Sequence, residues 1–238
     1  MSSATRCALP RGEIHVWRFA LDLPAPAVAR LRDTLAVDEV ARASRIRASR
    51  GRDRFIAAHG VLRQILGRYL GAAPGQLRFR AGPAGKPALA SPGSSWLRFN
   101  LSHCQDLALC AVARGREIGV DVERVRGERD WEGMAARHLA AIERARLDRL
   151  PALERSAAFF ACWTCKEAYC KATGAGLAQP LSRVAIDLRP GAPAALVVEG
   201  GERWSLRRLD PGPGFAAALV VEGQGWELRC RQWPALSA

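Results

Sequence analysis

The sequence predicts an α+β fold of two similar lobes in a pseudo-twofold arrangement, each a long helix packed on a small, mainly antiparallel sheet. Two long helical patterns, at about residues 52–70 and 152–173, carry this prediction. Each follows a strand-like segment and precedes three short strand candidates. We expect an N-terminal lobe at 1–115, a C-terminal lobe at 116–238, and a ligand site in the cleft between them.

In the first half, residues 14–19 alternate apolar and polar side chains, as in a half-buried strand. The helical pattern that follows stops at Gly71, with Pro74 just beyond, which is a common way for a helix to end. Short apolar runs at 76–80, 97–101 and 107–113 then predict three strands.

The second half shows the same order. A strand is predicted at 117–125, a long helix at 152–173, and three strands at 183–188, 204–209 and 215–221. No residue-level identity relates the two halves, so the repeat is predicted at the level of the pattern alone.

Composition restricts the class of protein. The 238 residues carry 36 lysines and arginines against 23 acids, a formal charge of +13 that attracts polyanions: nucleic acid, an anionic cofactor or an acidic protein. No apolar run reaches the length of a membrane span, and the N-terminus has no secretory pattern. We therefore expect a soluble, cytoplasmic protein.

The seven cysteines are odd in number and scattered, which argues against a disulfide framework. Cys162, Cys165 and Cys170 could suggest a zinc or redox site, but no second Cys pair or His pair stands at metal-ligand spacing. Their apolar helical context favours buried thiols that act as small apolar side chains.

Two acids share one face of the strand predicted at 117–125. Val120 and Val122 alternate with Asp121 and Glu123, so both carboxylates leave the strand on the side opposite the valines. Such a pair can share a hard cation such as Mg²⁺, which prefers oxygen ligands. Two ordinary surface acids on a solvated edge strand are the alternative.

The second long helix carries a carboxylate between lysines. Trp163, Glu167 and Lys171 are four residues apart and share a helix face, with Lys166 beside them. A solvated Glu–Lys pair would explain this spacing too. Because the rest of the helix is largely apolar, charges clustered there are better explained as the lining of a cleft.

The segment Asn100-Leu101-Ser102-His103-Cys104 ends a predicted strand. Ser102 and His103 are neighbours and point to opposite faces, so they do not form a nucleophile–base pair. His103 could donate to a phosphate oxygen or could be structural.

Six arginines lie between Arg42 and Arg54, and Lys86 sits in a stiff Gly-Lys-Pro turn. Arginine matches phosphate geometry, although a solubilising helix face would also explain most of these arginines.

Four motifs together resemble the 4′-phosphopantetheinyl transferases of the larger, two-lobed type. They are Gly85-Lys86-Pro87, then Phe99-Asn100-Leu101-Ser102-His103, then Gly119-Val120-Asp121-Val122-Glu123, and finally Trp163-x-x-Lys166-Glu167-Ala168-x-x-Lys171-Ala172-x-Gly174-x-Gly176-Leu177. The motifs occur in the family's order over about residues 40–180. One departure is Cys104, where the family commonly has serine.

The resemblance implies a set of site residues. Asp121, Glu123 and Glu167 would hold Mg²⁺, or Mn²⁺ in its place, against the pyrophosphate of coenzyme A. Lys166 and Lys171 would neutralise the transferring phosphate, with Lys171 the stronger candidate. The cofactor's phosphates would be contacted by Arg54, Lys86, and His103 with Ser102 beside it.

The implied reaction is attack of a carrier-protein serine on the β-phosphate of coenzyme A, which yields phosphopantetheinyl-serine and 3′,5′-adenosine bisphosphate. The base would be Glu167 or a metal-bound water. The partner would be an apo acyl or peptidyl carrier protein. We also expect a monomer, because two similar lobes in one chain already form an internal cleft. Two alternatives stay open: an inactive homologue that only binds carrier proteins, and a basic nucleic-acid-binding module. The second would need aromatic residues for base stacking, and 42–54 contains none.

Overall fold

The computed structural model describes residues 6–82, 85–126, 131–176, 180–189 and 194–234. The first half contains β1 (Glu13–Ala20), α1 (Ala25–Arg32), α2 (Val37–Ser44), α3 (Ser49–Leu70), β2 (Phe79–Ala81), β3 (Pro87–Leu89), β4 (Leu97–Cys104) and β5 (Leu107–Arg114). The second half repeats this order with β6 (Ile118–Arg124), α4 (Trp131–His138), α5 (Ala141–Asp148), α6 (Ala152–Thr173), β7 (Ala185–Asp187), β8 (Ala195–Val197), β9 (Trp204–Leu209) and β10 (Phe215–Glu222). A last strand, β11 (Glu227–Gln232), follows.

The predicted α+β class, with long helices on small antiparallel sheets, is confirmed. Helices α3 and α6 end at Gly71 and Gly174, whose φ angles of 65° and 70° are left-handed and so suit glycine. The sequence patterns did not reveal the four short helices, each of only eight residues. Two turns are too few to establish a clear helical period.

Two main sheets form the centre of the fold. The first has the strand order β11-β1-β5-β4 and the second has the order β6-β10-β9. Neighbouring strands are antiparallel throughout, except that β11 runs parallel to β1. Strand β11 therefore belongs to the sheet of the first half. The division at 115/116 remains a prediction, and β11 crosses it.

Three apolar clusters determine how the helices and the two sheets are layered. One core lies between α3 and the first sheet and includes Phe19 and Ile65, while a second lies between α6 and the second sheet and includes Phe159 and Val220. A third core, which includes Val120, joins the remaining faces of the two sheets. The helices thus lie outside two stacked sheets, and β4 and β6 meet where the halves join.

A buried cation ties short and long elements together in the first half. The Nε of Arg63 on α3 donates to Glu39 Oε2 at 2.7 Å, and its NH1 donates to the carbonyls of Pro74 and Leu77. Glu39 also accepts the backbone N–H of Ala36, which caps α2. Arg63 is 1% exposed, so this network lies in the protein interior.

The second half contains the equivalent arrangement around Lys166. Its Nζ pairs with Glu143 Oε2 at 2.7 Å and donates to the carbonyls of Leu181 and Val184. Glu143 accepts the backbone N–H of Ala140 and so caps α5. Lys166 and Glu143 therefore correspond to Arg63 and Glu39 of the first half. Comparison of the two half-sequences did not show this correspondence.

Among the described residues, no helix is long and apolar enough to cross a membrane. The seven cysteines are free thiols, and Cys162, Cys165 and Cys170 are buried in the interior as predicted.

Candidate functional site

Strand β6 reaches the site through a close approach to α6. A Cβ added at Gly119 would overlap backbone atoms of Ala168 and Ala172. Glycine is therefore needed for the strand to lie directly on the helix. This contact brings Asp121, two residues further along β6, next to Lys171 on α6.

Asp121 lies at the junction of β4, β6 and α6. Its Oδ1 accepts from Lys171 Nζ at 2.6 Å and from Ser102 Oγ at 2.9 Å, and the side chain of Asp121 is only 4% exposed. Its other oxygen, Oδ2, is buried and has no hydrogen-bond partner among the described residues. An ionised carboxylate oxygen without a partner in the interior is costly, unless a cation is bound there.

Two further carboxylates stand near Asp121. Glu167 lies on α6 one turn before Lys171, and its pKa is raised, chiefly by burial and then by the charge of Asp121. Glu123 raises the pKa of Glu167 further, while Lys171 acts in the opposite direction. Glu123 itself accepts from the Cys104 thiol at 3.3 Å. The three predicted metal ligands therefore share one electrostatic environment.

These carboxylates are not already gathered around a point. Within the part of the chain that the structure describes, no three His, Cys, Asp or Glu side chains stand close enough together to hold a metal ion as they are. The chemistry of the donor set still fits a hard divalent cation, because three carboxylates that repel one another would be relieved by a shared positive charge.

Lys166 does not belong to this site. Its side chain is fully buried on the core side of α6, where Glu143 and two carbonyls use its ammonium group. The prediction that Lys166 neutralises a phosphate is therefore wrong. The spacing placed it beside Glu167, but consecutive helical residues point about 100° apart.

Ser102 and Lys86 also have their donors in use. The Ser102 hydroxyl donates to Asp121 and accepts from Lys171 Nζ and from the N–H of Val122. The Nζ of Lys86 bonds Glu117 Oε2 at 2.8 Å and the carbonyls of Ile118 and Ala172. In this arrangement neither side chain offers a free donor to a cofactor phosphate, contrary to expectation.

Arg54 and His103 remain accessible. Arg54 makes a bidentate pair with Asp22, at 2.7 and 2.9 Å, which holds the pKa of that carboxyl well below its usual range. His103 is exposed at the end of β4. Its pKa is lowered, first by neighbouring protein that displaces water and then by the charge of Lys171.

Two adjoining cavities lie beside Glu167 and His103. One, of about 250 Å³, is lined by Glu167, Lys171 and Lys86, together with Asn100 and Gly174. The other, of about 370 Å³, is lined by His103, by Arg42, Arg78 and Arg80, and by the acids Asp38 and Glu39. Both cavities share Gly85, Pro87, Asn100 and Leu101, so Glu167 and Lys171 open onto the same depression as His103.

Asp22 is the ion-pair partner of Arg54, and no sequence pattern predicted this pairing. It lies two residues after β1, and its pairing with Arg54 spans 32 positions of the chain. In the sequence, Asp22 is an isolated acid just after a predicted strand, and the arginines of 42–54 are far from it along the chain. No local motif indicates that the two would pair. Glu117 and Glu143, the partners of Lys86 and Lys166, were missed for the same reason.

Comparison with known proteins gives concordant matches. The family model of the 4′-phosphopantetheinyl transferase superfamily matches residues 117–220. The 4′-phosphopantetheinyl transferase HetI of Nostoc sp. is 45% identical over 216 residues, which cover 90% of each chain. A phosphopantetheinyl transferase of Thraustochytrium sp. is 26% identical over 82% of this chain and 72% of its own.

Among solved structures, a holo-(acyl-carrier-protein) synthase from Bacillus anthracis in complex with coenzyme A aligns with a TM-score of 0.41. It is 23% identical and covers 45% of this chain and 96% of its own.

Proposed function

Because this chain belongs to the 4′-phosphopantetheinyl transferase superfamily, we infer that it transfers the 4′-phosphopantetheine group from coenzyme A to a serine of an apo carrier protein. A new P–O bond forms to the serine oxygen, and the bond to the departing 3′,5′-adenosine bisphosphate breaks. The serine hydroxyl loses its proton in this exchange. The observation that carries the assignment to this site is the junction of Asp121 with Lys171 beside Glu167.

We propose that Asp121, Glu123 and Glu167 hold a Mg²⁺ ion, for which Mn²⁺ would substitute. The buried Oδ2 of Asp121, which has no partner among the described residues, supports this proposal. Burial, followed by the charges of Asp121 and Glu123, raises the pKa of Glu167, and a bound cation would offset both effects. When bound, Mg²⁺ supplies positive charge to the pyrophosphate oxygens of coenzyme A.

Lys171 is the residue that would neutralise charge on the transferring phosphate. Its side chain is 29% exposed and lines the smaller cavity with Glu167, so its ammonium group is accessible from the cleft. Its pairing with Asp121 fixes the direction of the ammonium before substrate arrives. Charge held in place in advance is worth more than charge that must reorganise during the reaction.

Glu167 is the group that we assign to accept the serine proton. It opens onto the same cavity as Lys171, so its carboxylate is accessible to an acceptor hydroxyl in the cleft. Proton transfer to a positioned carboxylate of this kind typically accelerates a reaction by about 10²–10⁴-fold.

Arg54 and His103 would bind the phosphates of coenzyme A. Arg54 presents a planar guanidinium suited to phosphate, and its pairing with Asp22 keeps the group in place. His103 borders the larger cavity, which Arg42, Arg78 and Arg80 also line. Ser102 and Lys86 have no free donor for a phosphate. They would instead act by holding other side chains in place: Ser102 contacts Asp121 and Lys171, and Lys86 contacts Glu117.

The acceptor is proposed to be an acyl carrier protein, as in a holo-[acyl-carrier-protein] synthase, or a peptidyl carrier protein. Carrier proteins of this family's reaction present acidic surfaces, and the chain carries a formal charge of +13. Opposite charges of this size accelerate association and make it salt-dependent.

Because both halves of the cleft lie in one chain, we propose that the protein is a monomer. We also propose a cytoplasmic location, which suits its free thiols.

Mass spectrometry of apo carrier proteins incubated with the chain and coenzyme A tests this function. The phosphopantetheine mass should appear on the carrier serine, should be absent with excess chelator, and should return when Mg²⁺ or Mn²⁺ is restored. Transfer that persists in excess chelator would contradict the metal assignment. The absence of any mass gain across acyl and peptidyl carriers would contradict the transferase itself.

A further inference from the structure

Polar side chains on β4 connect the two sheets at the edge of the site. Asn100, Ser102 and Cys104 are alternate residues of β4, and they accept the backbone N–H groups of Val120 at 2.9 Å, Val122 at 3.4 Å and Arg124 at 3.4 Å. The offset is twenty residues in each case, so β4 and β6 run in the same direction. We call these three side chains the β4 ladder.

Two members of the β4 ladder also donate to the proposed metal ligands. Ser102 Oγ donates to Asp121 Oδ1 at 2.9 Å, and the Cys104 thiol donates to Glu123 Oε2 at 3.3 Å. Each donor thus holds the backbone N–H of one residue and the carboxylate of the residue before it. Asn100 differs, because the corresponding residue in front of Val120 is Gly119, which has no carboxylate.

The hydrogen-bond capacity of Ser102 shows how this contact orients Asp121. A hydroxyl has one donor and two acceptor positions, and in Ser102 the Asp121, Lys171 and Val122 contacts use all three. The serine and the lysine both contact Oδ1, so the carboxylate cannot rotate freely and Oδ2 is the oxygen left for a ligand.

We propose that Ser102 and Cys104 are positioning residues that orient Asp121 and Glu123 for the divalent cation. The inference rests on the proposed function of these carboxylates as metal ligands. Neither residue contacts substrate in this assignment, since each acts through the carboxylate that it holds. Hydrogen bonds of this kind fix the orientation of metal ligands, and their loss commonly costs about 10–100-fold in metal affinity.

A purely structural role is the competing explanation, because the β4 ladder also joins two strands. Asn100 separates the two explanations. It makes the same contact to β6 as the other two members and holds no carboxylate. Loss of its side chain should weaken the strand junction and leave the metal ligands in place.

The test is calorimetric titration of the metal-free protein with Mn²⁺, with the unfolding temperature measured in parallel. Cys104→Ala should weaken Mn²⁺ binding about tenfold, and Ser102→Ala should weaken it about 10–100-fold, because each loses a donor to a ligand. Cys104→Ser should bind Mn²⁺ with wild-type affinity, since the serine hydroxyl can donate to Glu123 as the thiol does. Asn100→Ala should lower the unfolding temperature and leave Mn²⁺ affinity unchanged.

The inference is overturned if Cys104→Ala binds Mn²⁺ as tightly as the wild type. It is also overturned if affinity falls in proportion to the unfolding temperature in all variants, Asn100→Ala included. The Cys104→Ala and Cys104→Ser pair decides the question even if Ser102→Ala fails to fold. A wild-type chain that binds no Mn²⁺ would be a different result, because it would overturn the proposed metal site itself.

Discussion

At the scale of single residues, the two oxygens of Asp121 have different surroundings. Oδ1 accepts from Lys171 and Ser102, whereas Oδ2 is buried with no partner among the described residues. A carboxylate arranged in this way is held by the protein through one oxygen, while the other has no hydrogen-bond partner among the described residues. The alternation of valines and acids predicted which face this residue occupies, and the structure places it beside its lysine.

Asp121→Ala is expected to lower transfer to an apo carrier protein on the order of 100-fold or more, because several kcal/mol of charge stabilisation are lost with the metal ligand. The unfolding temperature should change little, since Lys171 is partly exposed and can be hydrated. Turnover followed by mass spectrometry checks this, with Glu132→Ala on the exposed side of α4 as the control. Near-normal turnover of Asp121→Ala would remove this residue from the metal site.

Arg54→Ala should raise the KM for coenzyme A more than the KM for the carrier protein, because the proposed guanidinium contact to a cofactor phosphate would be lost. Arg50 is a matched control, since it pairs with the same Asp22 but its side chain is 73% exposed. Arg50→Ala should leave the KM for coenzyme A close to the wild-type value. Equal effects of Arg54→Ala on both substrates would instead assign Arg54 to the protein interface.

At the scale of elements, helix α6 carries charged residues on two different faces. Glu167 and Lys171 open onto the cavity, while Lys166 points into the second core and pairs with Glu143 of α5. The helix pattern predicted which residues share a face and could not show what each face would meet. The partner of Lys166 lies on a short helix that has too few turns to be recognised from its sequence.

Lys166→Met is expected to lower the free energy of unfolding by about 3–5 kcal/mol, because Glu143 would be left as an unpaired buried charge. Arg63→Met should produce a loss of similar size in the other half, where Glu39 loses its partner. Equilibrium denaturation with urea measures both losses.

Replacing the carboxylate as well should relieve the unpaired charge, so the double change Lys166→Met with Glu143→Gln should recover part of the lost stability. A Lys166→Met variant with wild-type stability but no turnover would contradict this assignment and restore a catalytic role for Lys166.

At the scale of the whole molecule, β11 links the end of the described chain to its beginning. It pairs in parallel with β1, and Trp233 just beyond it packs edge-to-face on Trp17 at 5.5 Å between ring centroids. Arg68 of α3 lies over the Trp233 ring at 4.1 Å. The C-terminal segment therefore completes the core and the sheet of the first half.

A chain shortened to end at Gly225 should unfold at a lower temperature and aggregate more readily. It loses the contacts of Trp233 and exposes the edge of β1 to pairing with other chains. Thermal unfolding and light scattering measure the two effects, with a chain that ends at Pro234 as the control. An unchanged unfolding temperature with no aggregation would show that β11 does not support the first half.

Much of the fold and of the candidate site could be predicted from local pattern. The two long helices, the main strands and the face that carries Asp121 and Glu123 all follow from periods of 3.6 or 2 residues. The motifs predicted the family, which the relatives of this chain confirm. Local periodicity could not reveal β11, the short helices or the partners of charged side chains, because those depend on contacts between distant segments.

Lys166, Ser102 and Lys86 illustrate the difference. The sequence correctly indicates that these residues lie in the family's motifs, and it determines their spacing along each element. Their use depends on the atoms around them: an acid from another helix pairs with Lys166, and the hydroxyl of Ser102 has no remaining donor. The periodicity of the sequence predicts which face of an element a side chain occupies. The partners of that side chain come from distant segments, and a donor that one partner uses is no longer available to a ligand. Tertiary contacts therefore determined which charged and polar groups remain available for chemistry.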